Sequence, residues 1–348
     1  MTTDATEERV LAAIRERREQ VNDAIEEELP LAEPERLYEA SRYLLKAGGK
    51  RLRPTVSLLA AEAIADVPPL SVDYRQFPAL DGDAVDVMAG AVSIEVIQSF
   101  TLIHDDIMDD DALRRGVPSV HEAYDVDTAI LAGDTLYSTA FEIMAGTGAA
   151  PENGLEAMRM LANTCTRICE GQALDVEFER RRDVLPEEYI DMVESKTAVL
   201  YGDAAATPAV LLDAADEVVD SLYRYGIHSG TAFQIQDDVL DLTVPSAKLG
   251  KQRGSDLVEN KETLITLHAR QQGVDVDDLV DADDAESLTD EAVSEAVETL
   301  HEAGSIDYAR GKARELVDES KADLDILPDN EARSLLEDTA EYLISRGY

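Results

Sequence analysis

The chain has 348 residues, 45% of them hydrophobic and only 5% aromatic, enough to bury one large core or two modest ones. Its 74 acidic residues against 31 basic ones give a formal net charge of −43. That charge excludes nucleic acid and anionic membrane surfaces as partners of the surface as a whole. The acids are spread along the chain, and Lys is scarce: eight, against 23 Arg. Such a surface suits high salt, where screening makes the charge tolerable. An acid-rich mesophilic protein is the alternative.

Few strand formers and long runs of Ala, Leu and Glu predict an all-α fold. Helical periodicity predicts a first helix from about Thr6 to Leu29, stopped by Pro30, so that residues 1–33 form an N-terminal helical segment. A second helix follows Pro34 and ends at Gly48-Gly49, and a third opens at Pro54. Residues 67–83 read as a loop insertion, broken by Pro68, Pro69 and Pro78. A long apolar helix is expected over Ala84–Asp110, then helices over Asp127–Gly146, Glu152–Arg180, Pro186–Gly202 and Glu217–Leu242. After a loop holding Pro245 and Gly250, helices recur to the C-terminus. No linker separates domains, so residues 1–348 read as one domain.

Cys165 and Cys169, at i and i+4 on a helix, read as two small buried hydrophobes in a reducing cytosol, since two thiols alone make a poor metal site. The N-terminal "MTTDATEERV" has no apolar core of a signal peptide, and no run of about 18 apolar residues is seen, so no membrane span and a cytoplasmic location are expected.

The chemistry concentrates in "LIHDDIMDDDALRRG", residues 102–116, where an apolar helix runs into five aspartates within seven residues and then an arginine pair. "DDIMD" (Asp105, Asp106, Asp109) fits D-D-x-x-D, and so does "DDVLD" (Asp237, Asp238, Asp241). On a helix, positions i and i+4 stack on one face and i+1 sits about 100° round. Two stacked carboxylates with a third at their flank suit Mg²⁺, a hard cation that keeps exchangeable waters. A third match, "DDLVD" (Asp277, Asp278, Asp281), lies in a segment without helical apolar periodicity, with no arginine pair or lysine near it, and reads as a solvated acidic face or loop.

Basic residues follow each of the first two motifs: Arg114 and Arg115 after one, Lys251 after the other. Cations beside carboxylates make sense where a metal-bridged anion joins them, and diphosphate fits. "GGKRLRP", residues 48–54, adds Lys50, Arg51 and Arg53 after a glycine turn and before a helix start, the makings of a phosphate site. Four of the eight lysines (Lys50, Lys196, Lys251, Lys261) stand in such segments of a chain that otherwise prefers Arg.

Taken in order, "GGKRLRP", "LIHDDIMDDDALRRG", "SKT", "FQIQDDVLD" and "LGKQRGSD" resemble the trans-prenyltransferases, the short-chain isoprenyl diphosphate synthases, from about Leu37 to Thr266. The resemblance implies an all-α isoprenoid-synthase bundle around a deep central cavity, usually a homodimer. It implies that Asp105, Asp106, Asp109, Asp237 and Asp238 hold Mg²⁺ and the allylic diphosphate, with Asp241 helping through water. The family number is three Mg²⁺ ions per site, with Mn²⁺ as a substitute. Arg114, Lys196, Thr197, Gln234, Lys251 and Lys261 would contact the allylic diphosphate. Lys50, Arg53, Gln98 and Arg115 would bind isopentenyl diphosphate, with Arg51 of second rank. Gln98 stands where many members have His; both donate a hydrogen bond. His104 reads as packing or as support for Asp105 rather than as a base.

In this family the growing tail runs back along the helix of the first motif, so Phe100, Thr101 and Ile97 would form its floor. One aromatic at Phe100 with small Thr101 resembles the archaeal synthases that stop at twenty carbons. The main expectation is therefore a chain-elongating synthase making geranylgeranyl diphosphate from isopentenyl diphosphate and a dimethylallyl, geranyl or farnesyl primer. A farnesyl or longer-chain synthase, a terpene cyclase and a non-catalytic partner subunit remain the other readings. Two intact acid motifs and "GGKRLRP" stand against the last two.

Overall fold

The computed structural model describes residues 3–80, 82–178, 180–181, 183–245, 253–259, 261–280 and 289–345. Lys251 and Asp281 lie outside the described residues. The fold is all-α. The described extended pairing is a short ribbon, Leu113–Arg114 against Val117–Pro118, and a bridge between Phe77 and Val85. The helices are α1 (Thr3–Glu28), α2 (Glu35–Lys46), α3 (Leu52–Ile64), α4 (Val87–Met108), α5 (Val120–Ala123), α6 (Val126–Ala145) and α7 (Pro151–Phe178). Then come α8 (Pro186–Val193), a π turn (Glu194–Ala198), α9 (Val199–Leu211) and α10 (Asp216–Thr243). The last five are α11 (Ser255–Val258), α12 (Leu264–Gln271), α13 (Asp290–Glu302), α14 (Ser305–Asp323) and α15 (Glu331–Ser345).

Contacts divide the chain into two compact units: residues 1–165 with 202–224 and 324–338, and residues 166–201 with 225–323 and 339–348. The boundaries at 165, 201 and 224 fall inside helices rather than in linkers. Two helix ends differ from expectation for local reasons. α4 starts at Val87 because the Asp86 side chain accepts the Ala89 N–H at 2.7 Å and caps it there. α9 runs past Gly202 and through Pro208 to Leu211 because residues 198–212 are buried throughout, and packing overrides propensity.

In the first unit α4 is the central helix, packed by α1, α3 and α6. The expectation that nothing matches a membrane span needs correction. α4 is long and apolar enough by length and composition, but 78% of that window is buried inside the protein and the helix ends in the acid motif. The described residues of the 67–83 loop hold one 3-10 turn, at Tyr74–Gln76, and the bridging Phe77, and the loop is anchored. Tyr74 Oη and the Leu70 N–H donate to Glu62 Oε1 at 2.5 and 2.7 Å, and Arg17 donates to Glu62 Oε2 at 2.5 Å. Arg17 and Glu62 are both fully buried, so each needs the other.

Asp203 on α9 is buried in the same unit; Thr207 Oγ1 donates to its Oδ1 at 3.1 Å and its Oδ2 has no partner. Burial pushes this carboxyl up to about 7, and the Thr207 and Thr164 hydroxyls only partly oppose that. The folded chain therefore holds a proton that the unfolded chain releases between the usual carboxylate range and pH about 7. Stability from this site is full below that window and is lost as pH rises through it. Asp203→Asn should be more stable than the parent at pH 8, by about 2–4 kcal/mol, and the gap should close towards pH 4. Melting curves of both proteins across that range check it; a pH-independent gap would refute it.

α7 corrects the cysteine expectation. Its buried stripe runs through Leu161, Thr164, Cys165, Ile168, Gly171 and Gln172, while Cys169 is exposed. Residues i and i+4 lie about 40° apart, which carries Cys169 off the edge of the stripe.

The second unit is organised around the π turn. An ideal Cβ on Gly171 of α7 would stand 2.3 Å from the Lys196 backbone N, and one on Gly230 of α10 would stand 2.8 Å from Ala198 Cα. Two glycines thus let backbones of α7 and α10 rest directly on this turn.

Candidate active site

The first acid motif ends α4. Asp106 is fully buried, Asp105 is half-buried, and Asp109 is exposed at the C-cap. The ribbon at 113–118 folds the chain back so that Arg114 Nε donates to Asp106 Oδ1 at 2.6 Å and Arg114 Nη2 to Asp111 at 2.9 Å. Burial pushes the Asp106 carboxyl up, against the pull of Arg114. Burial would lower the Arg114 guanidinium, but Asp106 and Asp111 outweigh it and hold it charged.

Arg115 turns the other way and donates to the carbonyls of Leu44, at 3.2 Å, and Gly48. Gly49, at φ 139°, makes room: a Cβ there would stand 3.0 Å from Arg115 Cζ. The "GGKRLRP" loop and the arginine pair are therefore neighbours. Within the loop the three cations differ. Arg51 is buried and donates to Glu95 Oε1 at 2.5 Å, Leu45 O at 2.7 Å and Asn22 Oδ1 at 3.0 Å. It anchors the loop, while Lys50 is exposed and Arg53 half-buried. Burial lowers the Arg115 guanidinium, and the nearby Arg51, Arg114 and Arg53 add to that against Glu95. A chain of charge −43 thus gathers four arginines at one place.

Gln98 lies half-buried on α4, and Ile97 beside it is fully buried. Thr101 Oγ1 bonds back to Gln98 O at 2.9 Å. The Phe100 ring lies edge-on to His104 at 4.8 Å and to Tyr137 of α6 at 5.2 Å, and Tyr137 lies 5.2 Å from Phe141. His104 packs on α6, its Nε2 lying 3.3 Å from Ile130 O and close over Gly133.

The second acid motif lies on α10, in the second unit. Asp238 is buried, and burial pushes its carboxyl well up, with nearby Asp256 adding to this. Gln234 Nε2 donates to its Oδ1 at 3.0 Å, and Tyr189 Oη donates to its Oδ2. Gln234 Oε1 accepts from Thr197 Oγ1 at 3.3 Å. Asp237 is half-buried. Asp241 is buried and accepts from Ser255 Oγ at 3.1 Å and the Asp256 N–H at 3.3 Å, so it fixes the chain that follows α10. Lys196, on the π turn, is ion-paired with Asp175 of α7. Lys261 pairs with Glu259 at 2.8 Å.

The third acid triplet has a different setting. Asp277 and Asp278 are exposed on a 3-10 turn, and Asp277 accepts from Arg270 at 3.1 Å. That arginine is a single one, seven residues earlier in the sequence.

Among the described residues no three His, Cys, Asp or Glu side chains stand together as a ready-made metal centre. The donors of the first two motifs nevertheless fit hard cations. They are carboxylate oxygens, and Asp106 Oδ2 is buried without a hydrogen-bond partner, an atom that a cation would satisfy.

Sequence reasoning missed Tyr189, Asp175 and Gly171. Tyr189 carried no local signal, since its partner Asp238 is 49 residues away. Gly171 is an isolated glycine in a helical pattern, which points to close packing. Asp175 carried no local signal. Also missed was His121 on α5, which packs on α4; both its ring nitrogens, like Ser119 Oγ, are buried without hydrogen-bond partners.

The polyprenyl synthetase family model matches residues 34–303. A geranylfarnesyl diphosphate synthase of Natronomonas pharaonis is 66% identical, over 97% of this chain and 98% of its own length. A geranylgeranyl diphosphate synthase of Methanosarcina mazei is 48% identical, over 96% of this chain and 97% of its own. The solved geranylgeranyl pyrophosphate synthetase of Geoglobus acetivorans superposes with a TM-score of 0.84 at 43% identity, covering 96% of this chain and 99% of the other. The chain belongs to the polyprenyl synthetase family of prenyltransferases.

Proposed function

We propose that this enzyme condenses isopentenyl diphosphate with an allylic diphosphate and releases mainly the C20 product, geranylgeranyl diphosphate. The observation that carries the reading is the buried Asp106, with one oxygen on Arg114 and the other unpartnered, beside the Arg51, Arg53, Arg114 and Arg115 cluster. Carboxylates for a cation and guanidiniums for an anion stand together there, as a metal-bound diphosphate requires.

On this reading Lys50, Arg53, Gln98 and Arg115 hold isopentenyl diphosphate. Arg114, Lys196, Thr197, Gln234, Lys251 and Lys261 grip the allylic diphosphate, with Lys196 and Arg114 exchanging their carboxylate partners for phosphate oxygens. Mg²⁺, or Mn²⁺ in its place, held by Asp105, Asp106, Asp109, Asp237 and Asp238 and through water by Asp241, would neutralise the leaving group. The allylic C1–O bond breaks and its electron pair leaves with the diphosphate, whose charge the Lys and Arg donors stabilise. The double bond of isopentenyl diphosphate attacks C1 and forms the new C–C bond. A proton then passes to the departed diphosphate and restores a double bond. Each unit carries one acid motif, and the reading takes residues 1–348 as one functional domain. The acidic surface supports a cytoplasmic enzyme of high-salt cells, and the exposed Ile130 and Leu131 on α6 support a homodimer.

Phe100 lies about 7–8 Å below Asp105 along α4 and is braced by Tyr137, which in turn packs on Phe141, and this supports a stop at C20. The Natronomonas relative, a geranylfarnesyl synthase, favours C25 as the second reading. Mass analysis of products from isopentenyl diphosphate with each primer decides between them. Phe100→Ala should lengthen the main product by at least one C5 unit; an unchanged length would place the floor elsewhere.

Salt gives a further expected result. With a charge of −43, self-repulsion weakens the fold when ions are dilute. Helical signal in circular dichroism and activity should fall in dilute buffer and return in molar KCl. A protein equally folded and active in both would refute the high-salt reading alone.

A further inference from the structure

We propose that Tyr189 is a positioning residue for the second acid motif: its hydroxyl holds the Asp238 carboxylate in the orientation in which it joins a divalent cation. The inference rests on the prenyltransferase reading above.

Asp238 is 7% exposed and Tyr189 2%, so neither group has water to fall back on. Asp238 takes one donor on each oxygen. Gln234, one turn earlier on the same helix, donates to Oδ1 at 3.0 Å and is itself bonded to Thr197 on the π turn at 3.3 Å. Tyr189 donates to Oδ2 from a different helix, α8. A carboxylate oxygen has two acceptor positions, so each keeps one for a cation.

Rotation about the last side-chain bond of an aspartate is soft and broad. A donor on each oxygen removes that freedom, and only donors from two directions can do so. Gln234 shares the helix of Asp238 and moves with it. Tyr189 is fixed by the packing of α8, so it ties the carboxylate to an independent frame. A phenylalanine would fill the same space. The hydroxyl is therefore what the site needs there, just as the partners of metal ligands elsewhere set ligand orientation and affinity.

The test is Mn²⁺ binding followed by electron paramagnetic resonance, with inorganic diphosphate present and in molar KCl. Tyr189→Phe should weaken Mn²⁺ binding about 10- to 100-fold, with helical signal kept. In an Asp238→Asn background the same change should alter binding less than twofold, because the group through which Tyr189 acts is gone. Mn²⁺ affinity within twofold of wild type in folded Tyr189→Phe would overturn the proposal. So would a tenfold further loss in the Asp238→Asn background. If Tyr189→Phe alone does not fold, the Asp238→Asn pair, which leaves no unpaired buried anion, decides by the same criterion. Wild-type enzyme that binds no Mn²⁺ with diphosphate would instead overturn the prenyltransferase reading, and this inference with it.

Discussion

Asp105→Ala and Asp237→Ala should each cost at least about 10²–10³ in turnover, while Asp277→Ala stays within about twofold of the parent. All three sit at the head of a D-D-x-x-D match, so the pattern alone does not separate them. The surroundings do. Asp105 ends a buried helix beside the unpartnered Asp106 Oδ2 and the arginine cluster, and Asp237 stands next to the doubly bonded Asp238. Asp277 is exposed on a surface turn with Arg270 across from it, a pair worth little in water. Removing a cation ligand takes away charge stabilisation at the leaving diphosphate, whereas removing a surface acid changes stability by no more than about 0.5 kcal/mol. Steady-state rates with Mg²⁺, and their recovery after chelation and readdition, measure the contrast. Comparable losses in folded Asp277→Ala and Asp105→Ala would sink the assignment.

The fold class and the order of the elements were legible because this chain states them locally. Apolar periodicity, Pro30, Pro34 and the Gly48-Gly49 turn mark helix limits that tertiary contacts did not move far. The acid motifs were legible because clustered carboxylates at a buried helix end are costly without a counter-charge. What the sequence withheld was long-range. Arg51 and Arg53 look alike in "GGKRLRP", and only the arrival of Glu95 from α4 makes one an anchor. Gly202 reads as a helix end until the burial of α9, which runs on through Pro208, outweighs it. Cys169 misled because a difference of about 40° in helix phase is too fine to read from apolar spacing alone. The partners of Lys196 and Asp238, namely Asp175 and Tyr189, lie 21 and 49 residues away in sequence, beyond any local pattern.

Gly171→Ala should lower kcat about 10²-fold and destabilise the fold by about 1–3 kcal/mol, whereas Gly154→Ala on the same helix should be neutral or stabilising by up to about 1 kcal/mol. Both are helical glycines, and helix propensity alone favours alanine at each. The difference is what a methyl group meets. At Gly154 nothing lies within 4 Å of the added carbon. At Gly171 it would stand 2.3 Å from Lys196 N and 2.7 Å from Lys196 Cα, and these are backbone atoms that cannot swing aside. The π turn would have to move, carrying with it Lys196, proposed to grip the allylic diphosphate, and Thr197, which bonds Gln234. Gly230, packed against the same turn at Ala198, limits where it can go. The loss should therefore appear in kcat and in binding of the allylic substrate more than in binding of isopentenyl diphosphate, whose proposed residues lie on α4, the "GGKRLRP" loop and the 113–118 ribbon. Rates and melting temperatures of the two variants, measured side by side in molar KCl, provide the check. Equal, small effects of both substitutions would mean that the π turn yields to α7 without disturbing the Lys196 site.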